Sequence, residues 1–408
     1  MLNSLIYRAR QVRDLIRRDG VASTAKMIVQ RVRFGPGQWP RADIFAHFDF
    51  VSNASPLAVR GSAELGSLLW VIPDFSIGSG GHLNIFRTIF HLESMGYQST
   101  ILIVGPTVHL DAVSARRDIA DHFFPLKADV VIEGGDLPAA EFAVATGWQT
   151  AYFVRRFPSS LKKIYFAQDF EPYFYPMGSE YIFAENTYHF GFFGIAAGDW
   201  LAERLERDYG MKTRAVGFGV EHDRYRPLPR REPHIKRVFF YARPPTPRRA
   251  FELGLLVLDA VHRALPSVEF VLAGWNTADY RIPFPHLDCG TVGLDELPDL
   301  YAQCDVALVL SLTNLSLLPL ELMGCGCAVV SNTGANVEWL LSEEIAVLTE
   351  PTPEALSRAV CELLENDERR MALIARAEAF AKTQHWSNVA VAFEAGLQSA
   401  RETSLCAA

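Results

Sequence analysis

The sequence predicts an α/β protein of two Rossmann-like lobes that face a central cleft, with a basic helical extension at the N-terminus. Three observations predict this fold class. Short apolar runs of β character alternate with helical patterns from about residue 66 onward. A stretch from Pro227 to Pro233, with three prolines and three charges, interrupts that alternation, which then restarts. The length of 408 residues fits two or three domains at about 100–200 residues each.

The composition is that of an ordinary globular protein, with 49% hydrophobic and 21% charged residues. It excludes collagen-like, mucin-like and wholly disordered chains. The formal net charge of −8 argues against a nucleic-acid partner. Residues 1–42 nevertheless hold nine Lys or Arg and two Asp or Glu, a local charge of +7, so the other residues sum to −15.

Residues 1–65 are predicted to be a basic helical extension followed by an irregular segment. Within residues 1–34, apolar positions such as Leu5 and Leu15 recur near helical spacing, with arginines between them. A basic amphipathic helix suits a membrane surface, a partner protein or the acidic body of the chain, and these alternatives stay open. No apolar run reaches the ~18–20 residues that cross a bilayer, so we expect no membrane span. Charged residues interrupt the first 30 residues throughout, so we do not expect a cleaved signal peptide either.

The cysteine pattern predicts reduced thiols rather than a disulfide framework or a metal site, because no C-x-x-C pair occurs. The six cysteines are Cys289, Cys304, Cys325, Cys327, Cys361 and Cys406. We therefore expect a cytoplasmic protein, peripheral to the inner face of the plasma membrane if residues 1–34 bind there.

The first lobe is predicted over residues 66–228 and begins with a strand, Leu68–Ile72. A glycine-rich turn at Gly78–Gly81 precedes a helical pattern that ends at Gly96, and Thr100–Val104 is the next strand. Further strands are predicted at Val130–Glu133, Ile164–Ala167, Gly194–Ala197 and Thr213–Val216. The order strand, turn, helix, strand is typical of a parallel α/β layer.

The second lobe is predicted over residues 229–385. Its strands are predicted at Val238–Tyr241, Glu269–Ala273, Val306–Leu310 and Ala328–Ser331, with helices at Ala250–Ala264, Asp295–Gln303, 353–364 and 367–382. A last helix, within residues 386–408, is predicted to pack back on the first lobe. Two facing lobes put a ligand cleft between the carboxyl ends of both sheets.

The most informative block runs from Ser311 to Gly334, where a strand, a small polar loop, a helix with Glu321 and a glycine turn follow one another. Free N–H groups at the helix start suit a phosphate, and the Glu321 carboxylate can accept hydrogen bonds from sugar hydroxyls. An ordinary loop and helix with a solvated Glu fits the spacing equally well. The block resembles family 4 of the retaining nucleotide-sugar glycosyltransferases, which have the two-lobed GT-B fold.

The family motif has a serine just before an E-x7-E pair, followed by a glycine and two valines before a glycine-containing loop. Matching residues here are Ser311, Glu321, Gly326, Val329, Val330 and Gly334. Thr313 stands where the family has its first Glu, which commonly contacts the transferred sugar, and Ala328 stands at a proline. The resemblance implies that Glu321 holds nucleotide ribose hydroxyls. It also implies that Thr313, Asn314 and Leu315 line the donor site, with the Asn314 backbone at the phosphates.

Two further segments carry the resemblance, which covers about residues 66–400. Tyr241 to Arg249 is similar to the family's G-R-x-x-x-x-K-G segment, so Arg243 and Arg248 align with its two cations. Such cations would stabilise the negative charge on a departing diphosphate, although a basic loop on a solvated face is the alternative. The resemblance also implies that Val292 and Gly293 lie near the base.

The glycine-rich turn resembles the family's turn beneath the donor diphosphate. This implies donor-binding roles for Gly80, Gly81 and His82. Glycine lets a backbone approach an anion closely, and a helix start favours negative charge. A plain tight turn with a structural His82 is the alternative.

The stretch from Tyr165 to Gly178 packs two carboxylates, an amide and several aromatic rings into one predicted loop. Aromatic faces cover the C–H surfaces of sugars, and carboxylates accept hydroxyl protons. We expect catalytic roles for Asp169 and Glu171, which would orient the donor sugar or the acceptor, and acceptor binding by Gln168 and Tyr173. A solvated loop with packed aromatics is the alternative. The Q-D-F-E-P segment resembles bacterial rhamnosyltransferases that build S-layer and cell-surface polysaccharides.

The resemblance implies a retaining hexosyltransferase that moves L-rhamnose from dTDP-rhamnose to a hydroxyl of a growing cell-surface glycan, with no metal or other cofactor. The first lobe would face the acceptor and the second the nucleotide sugar. Implied partners are the nucleotide sugar and a lipid-linked glycan acceptor, and a homodimer is left open. Two alternatives remain: a GT-B nucleotide-sugar epimerase, or a non-catalytic subunit of a polysaccharide assembly complex in which Thr313 marks decay of the site.

Overall fold

The computed structural model describes residues 41–158 and 161–402. The helices predicted within residues 1–34, and Cys406, lie outside the described residues. Two short helices, α1 (Arg41–His47) and α2 (Asp49–Ser52), precede the first lobe. Phe50 packs its ring on Phe153 at 6.0 Å between centroids, so this segment is held against the first lobe.

The first lobe is built on a seven-stranded parallel sheet with the order β3-β2-β1-β4-β5-β6-β7. Its strands are β1 (Ser67–Pro73), β2 (Gln98–Val104), β3 (Asp129–Ile132), β4 (Phe142–Ala145), β5 (Lys162–Ala167), β6 (Phe193–Ala197) and β7 (Thr213–Val216). Helices cover both faces of this sheet, so its central strands are apolar on both sides. In β1, the side chains from Leu68 to Ile72 are all buried.

Five helices connect these strands: α3 (Gly80–Ser94), α4 (Ala112–His122), α5 (Trp148–Val154), α6 (Ser179–Asn186) and α7 (Asp199–Tyr209). Helix α3 buries Leu83, Phe86 and Ile89 against the sheet, at the spacing of one helical face. Helix α4 begins with a capping box, in which Asp111 accepts from the Ser114 N–H at 2.7 Å and the Asp111 N–H donates to the Ser114 hydroxyl.

The second lobe is built on a six-stranded parallel sheet with the order β10-β9-β8-β11-β12-β13. Its strands are β8 (Arg237–Tyr241), β9 (Glu269–Ala273), β10 (His286–Asp288), β11 (Val306–Val309), β12 (Ala328–Asn332) and β13 (Val347–Thr349). Its helices are α8 (Phe251–Ala264), α9 (Leu297–Ala302), α10 (Leu318–Gly324), α11 (Ala335–Glu338), α12 (Pro353–Glu365) and α13 (Asp367–Thr383).

Residues 217–236 join the lobes without a helix or a strand. Arg230 anchors this linker to the second lobe, because its guanidinium donates to both oxygens of the buried Asp305 carboxylate at 2.6 and 3.0 Å. The chain crosses back before helix α14 (Trp386–Glu402), which packs on the first lobe. There the buried Phe393 ring lies 5.6 Å from Trp70 and 5.2 Å from Phe166.

The lobes meet at the carboxyl ends of both sheets. Gly198, directly after β6, lies against Trp339 of the second lobe so closely that a Cβ at Gly198 would come within 2.5 Å of the indole. Gly198 also has φ +87°, which favours glycine. The loops that follow β1, β5, β8 and β11 therefore line one cleft, as expected at the switch points of doubly wound sheets.

Candidate active site in the cleft

Asp169 lies where the two lobes touch. It follows β5 and is only 8% exposed. Its Oδ1 accepts from its neighbour, the Phe170 N–H, and from the Asn314 N–H of the second lobe, both at 2.8 Å. Its Oδ2 accepts from the Thr313 hydroxyl, also at 2.8 Å. Desolvation raises the pKa of Asp169, and the charges of Arg249 and Arg248 oppose that rise.

Arg248 faces the same carboxylate from the loop after β8. Its Nε lies 3.5 Å from Asp169 Oδ2, and its guanidinium stacks over the Phe174 ring at 4.0 Å. Desolvation lowers the pKa of Arg248, and Asp169 opposes that change. Arg243 lies nearby and donates to the Tyr241 hydroxyl at 3.2 Å. Both cations predicted from the sequence therefore lie at the carboxyl end of β8.

Arg249 is a third cation in this loop, and its role is not predicted from the sequence. Its Nη1 donates to the Ser311 hydroxyl at 2.5 Å and to the Asn314 carbonyl at 3.3 Å. Desolvation lowers its pKa to about 10, against the charge of Asp169. The next residue, Ala250, has φ +49°, the one positive φ of a non-glycine among the described residues. Such strain is typical of functional loops.

Asn314, in the loop after β11, is held by four groups from outside that loop. The Asn314 side-chain amide donates to the carbonyls of Gln168 at 3.1 Å and Ala197 at 2.6 Å, and its Oδ1 accepts from the Trp339 indole at 2.9 Å. Its backbone N–H is bonded to Asp169. The predicted contact of that N–H with a donor phosphate therefore requires Asp169 to release it. Leu315 is buried in the core of the second lobe.

Glu171 points into the first lobe rather than the cleft. It is buried and accepts from the Trp148 N–H at 2.6 Å and the Tyr165 hydroxyl at 3.3 Å. Desolvation raises its pKa to about 8, although the Trp148 N–H opposes this. In this structure, Glu171 braces the loop that carries Asp169, and both of these hydrogen-bond partners belong to the first lobe.

Gln168 and Tyr173, the two residues predicted to bind an acceptor, flank Asp169 and Glu171 in the loop after β5. Gln168 donates to the Gly81 carbonyl at 3.2 Å and accepts from the Asn84 amide at 3.3 Å, so it ties the loop to helix α3. Tyr173 is exposed, and its hydroxyl accepts from Arg204 at 2.8 Å. Gln168 therefore borders the cleft beside the glycine-rich turn.

The glycine-rich turn leads into helix α3, which begins at Gly80. A Cβ at Gly80 would meet no atom within 4 Å, so the helix start faces open space. His82 is within 2.8 Å of the Ser79 hydroxyl through Nδ1, and desolvation lowers the pKa of His82, which favours the neutral ring. The turn can therefore admit an anion, and His82 shapes it.

Glu321 lies on α10 beside the linker. Desolvation raises its pKa to about 7, while the charge of Arg87 and a hydrogen bond with Tyr225 oppose this. Arg87, on α3 of the first lobe, was also missed from the sequence. It is 2% exposed, pairs with Glu221 at 2.5 Å and lies over the Trp386 ring at 4.3 Å.

A cavity of about 560 Å³ opens between the linker and the start of α9. Its lining residues are Glu221, Asp223, Arg224, Arg226, Leu228, Asp295, Pro298 and Asp299. Gly293 is exposed two residues before Asp295, and Val292 packs on the core of the second lobe. The residues predicted to lie near the base are thus next in sequence to the wall of this cavity.

No helix in residues 41–158 or 161–402 is long and apolar enough to cross a membrane. In the same part of the chain, no group of three or more His, Cys, Asp or Glu is arranged to hold a metal ion.

Comparison with known proteins shows the fold. The family model "WsaF, C-terminal domain" matches residues 236–361. Sucrose-phosphate synthase from Thermosynechococcus elongatus superposes with a TM-score of 0.63 at 12% identity, covering 83% of this chain and 100% of that one. Anabaena HepE, crystallised with UDP-glucose, has a TM-score of 0.60 at 16% identity, with the same coverage. The chain has the GT-B fold.

The GT-B fold predicted from the sequence is therefore confirmed, with two parallel sheets and the cleft between them. The O-antigen biosynthesis protein RfbC of Myxococcus xanthus is 33% identical over 336 residues. That match covers 78% of this chain but 26% of the relative, so the chain spans about a quarter of the length of RfbC.

Proposed function

We propose that this chain is a retaining glycosyltransferase of polysaccharide or O-antigen biosynthesis that transfers L-rhamnose from dTDP-rhamnose. The observation that carries the proposal is the cluster of Arg243, Arg248 and Arg249 at the carboxyl end of β8, facing Asp169 across the GT-B cleft. Partly desolvated guanidinium groups at this point suit a diphosphate. The similarity to RfbC and to the WsaF domain supports a role in surface-glycan synthesis. The complex of HepE with UDP-glucose supports a nucleotide-sugar donor.

Each residue has a separate task in this proposal. Arg243 and Arg248 stabilise the charge that develops on the departing diphosphate, so no metal ion is needed for it. The exposed start of α3 at Gly80 and Gly81 approaches the phosphates. Glu321 accepts a hydrogen bond from the 3′-hydroxyl of the nucleoside, since thymidine lacks the 2′-hydroxyl.

The chemical step replaces one C–O bond by another on the same face of the sugar. The bond from the anomeric carbon to the diphosphate breaks, and the acceptor oxygen forms the new bond. The acceptor proton passes to an oxygen of the departing diphosphate, and no protein nucleophile is assigned. Asp169 orients the reacting groups from the first lobe.

The acceptor in this proposal is a lipid-linked glycan, which would bring the enzyme to the membrane surface. The charge of +7 on residues 1–42 supports that location, because anionic headgroups attract clustered Lys and Arg.

Binding calorimetry with dTDP, UDP and GDP, first without metal and then with magnesium, tests the donor. We expect metal-free binding that prefers dTDP and that Arg243→Ala weakens about tenfold or more, as for a hydrogen bond to a charged group. The matched control is Arg263→Ala, which removes an exposed arginine paired with Asp259 on α8.

The other outcomes separate the alternatives. Preference for UDP or GDP would keep a glycosyltransferase and overturn the rhamnose donor. Absence of binding to all three nucleotides would overturn the enzyme and favour a non-catalytic subunit of an assembly complex.

A further inference from the structure

One buried carboxylate connects the two lobes. Of the groups that contact Asp169, only the Phe170 N–H belongs to the first lobe among the described residues, whereas the Asn314 N–H, the Thr313 hydroxyl and Arg248 belong to the second. A buried carboxylate without hydrogen bonds is costly, since it has left water. The bonding of Asp169 is therefore complete only while the lobes are together.

The backbone of Thr313 is held by its own lobe. Its carbonyl accepts from the Ser311 hydroxyl at 3.2 Å and from the Asn336 amide at 2.5 Å. The Thr313 side chain is 2% exposed, and its hydroxyl donates across the cleft to Asp169. Thr313 is thus a fixed point from which a single hydroxyl reaches the first lobe.

The same carboxylate faces the cation that the proposed function needs. Arg248 has its Nε 3.5 Å from Asp169 and its guanidinium over Phe174, which also belongs to the first lobe. Arg248 therefore reaches from the second lobe to the first, in the same direction as the Thr313 hydroxyl. Its position depends on where Asp169 is held.

We propose that Thr313 is a positioning residue: it fixes Asp169 in the closed cleft and, through Asp169, sets the Arg248 guanidinium for transfer. We call Thr313, Asp169 and Arg248 the cross-lobe clamp. Thr313 itself needs no contact with the donor, which gives it a different task from the sugar contact that its motif position implies. The effect on transfer rests on the proposed function, but closure of the lobes does not.

The test is Thr313→Val, which keeps the shape and removes the hydroxyl. The matched control is Thr277→Val, because Thr277 is 1% exposed and donates to Asp288 at 2.7 Å within the second lobe. Hydrogen exchange of the full chain without nucleotide measures closure, with the Asn314 and Phe170 amides as direct reporters. Steady-state kinetics and dTDP binding measure the consequence for transfer.

We expect Thr313→Val to speed exchange in residues 168–171 and 312–315 about tenfold, as for one hydrogen bond to a charged group. We also expect kcat to fall about tenfold while the dTDP dissociation constant changes less than about threefold. Thr313→Ser, which keeps the hydroxyl, restores both exchange and kcat. Thr277→Val leaves exchange in these segments and kcat close to wild type.

Unchanged exchange in Thr313→Val, or the same changes in Thr277→Val, would overturn the clamp. So would a Thr313→Ser variant that behaves like Thr313→Val. The proposed function fails differently, through a wild-type chain that binds no nucleotide, and in that case the exchange comparison still decides whether the clamp exists.

Discussion

Several ionisable side chains in and around the cleft are buried where the loss of water disfavours their charged forms. Desolvation raises the pKa of Asp169, Glu171 and Glu321 and lowers that of Arg248 and Arg249. Groups perturbed in this way cluster at functional sites, where charge is set in place before the ligand arrives. The charges around the cleft are thus in place before a ligand binds. The ionisation of Glu321 and Glu171 changes near neutral pH, because their pKa values are about 7 and about 8.

Glu321 gives that dependence a measurable form. Because its pKa is raised to about 7 in the folded chain, the folded state holds this proton more tightly than the unfolded state does. The contribution of Glu321 to the free energy of unfolding is complete below the pKa that Glu321 has in the unfolded chain. It is lost as pH rises through about 7, its pKa in the folded chain. We predict that Glu321→Gln flattens the fall in melting temperature between pH 5 and 8 by a few degrees, measured by calorimetry.

The control for this measurement is Glu354→Gln, at an exposed position in the first turn of α12. Glu171, whose pKa is about 8, contributes a loss in the same direction to every variant, so the difference between variants isolates Glu321. Equal pH slopes in wild type and Glu321→Gln would contradict the prediction.

The sequence could predict which loops form the cleft but not how their side chains pair. The residue types of its loop predict a role for Asp169, the resemblance to the family motifs points to Arg248 and Thr313, and the structure brings the three together. Arg249 adjoins Arg248 in a basic run, with no local signal that it turns toward Ser311. Arg87 is one polar residue in a helical pattern, and its partner Glu221 is 134 positions away. Such pairings depend on the tertiary fold.

Among whole elements, helix α14 follows the second lobe in the chain but packs on the sheet of the first lobe. Phe393 is fully buried between Trp70 of β1 and Phe166 of β5. We predict that Phe393→Ala destabilises the chain by about 3–5 kcal/mol, since it leaves a cavity between the helix and the sheet. Urea denaturation followed by tryptophan fluorescence measures this.

Val391→Ala on the same helix is the matched control, because Val391 is 58% exposed and loses little buried surface. A Phe393→Ala chain as stable as Val391→Ala would mean that α14 contributes no core to the first lobe.

Ten of the strands are predicted from apolar runs in the sequence, whereas the short strands β4, β10 and β13 are not. The predicted strands agree with the structure to within two residues at their ends. Strand β4 is fully buried but has four residues, two of them Ala, which has low β propensity. Strands β10 and β13 have three residues each at the two edges of their sheet, too few to establish a periodic pattern of apolar and polar residues. Pairing with a neighbouring strand, rather than local preference, forms all three.

The charge of the whole molecule is divided between its two parts. Residues 1–42 sum to +7 and the rest to −15. We predict that the full chain floats with vesicles rich in phosphatidylglycerol and not with pure phosphatidylcholine, and that deleting residues 1–34 removes most of this binding. Vesicle flotation measures it.

The control is a full-length chain in which Arg8, Arg10, Arg13, Arg17 and Arg18 are changed to Gln. Loss of flotation in this variant would assign the binding to charge. Flotation that persists after the deletion would reject a membrane role for the extension.

The cross-lobe clamp limits which lobes can be recombined, both in evolution and in protein engineering. Its partners come from different lobes, so the residue at position 169 of one lobe has to be compatible with the residue at position 313 of the other. A chimera that joins this first lobe to a second lobe with a carboxylate at position 313 would bring two negative charges together in a buried place. We therefore expect a chimera of two relatives to fold and function only when both positions come from the same parent, or when a change at one position compensates for the change at the other.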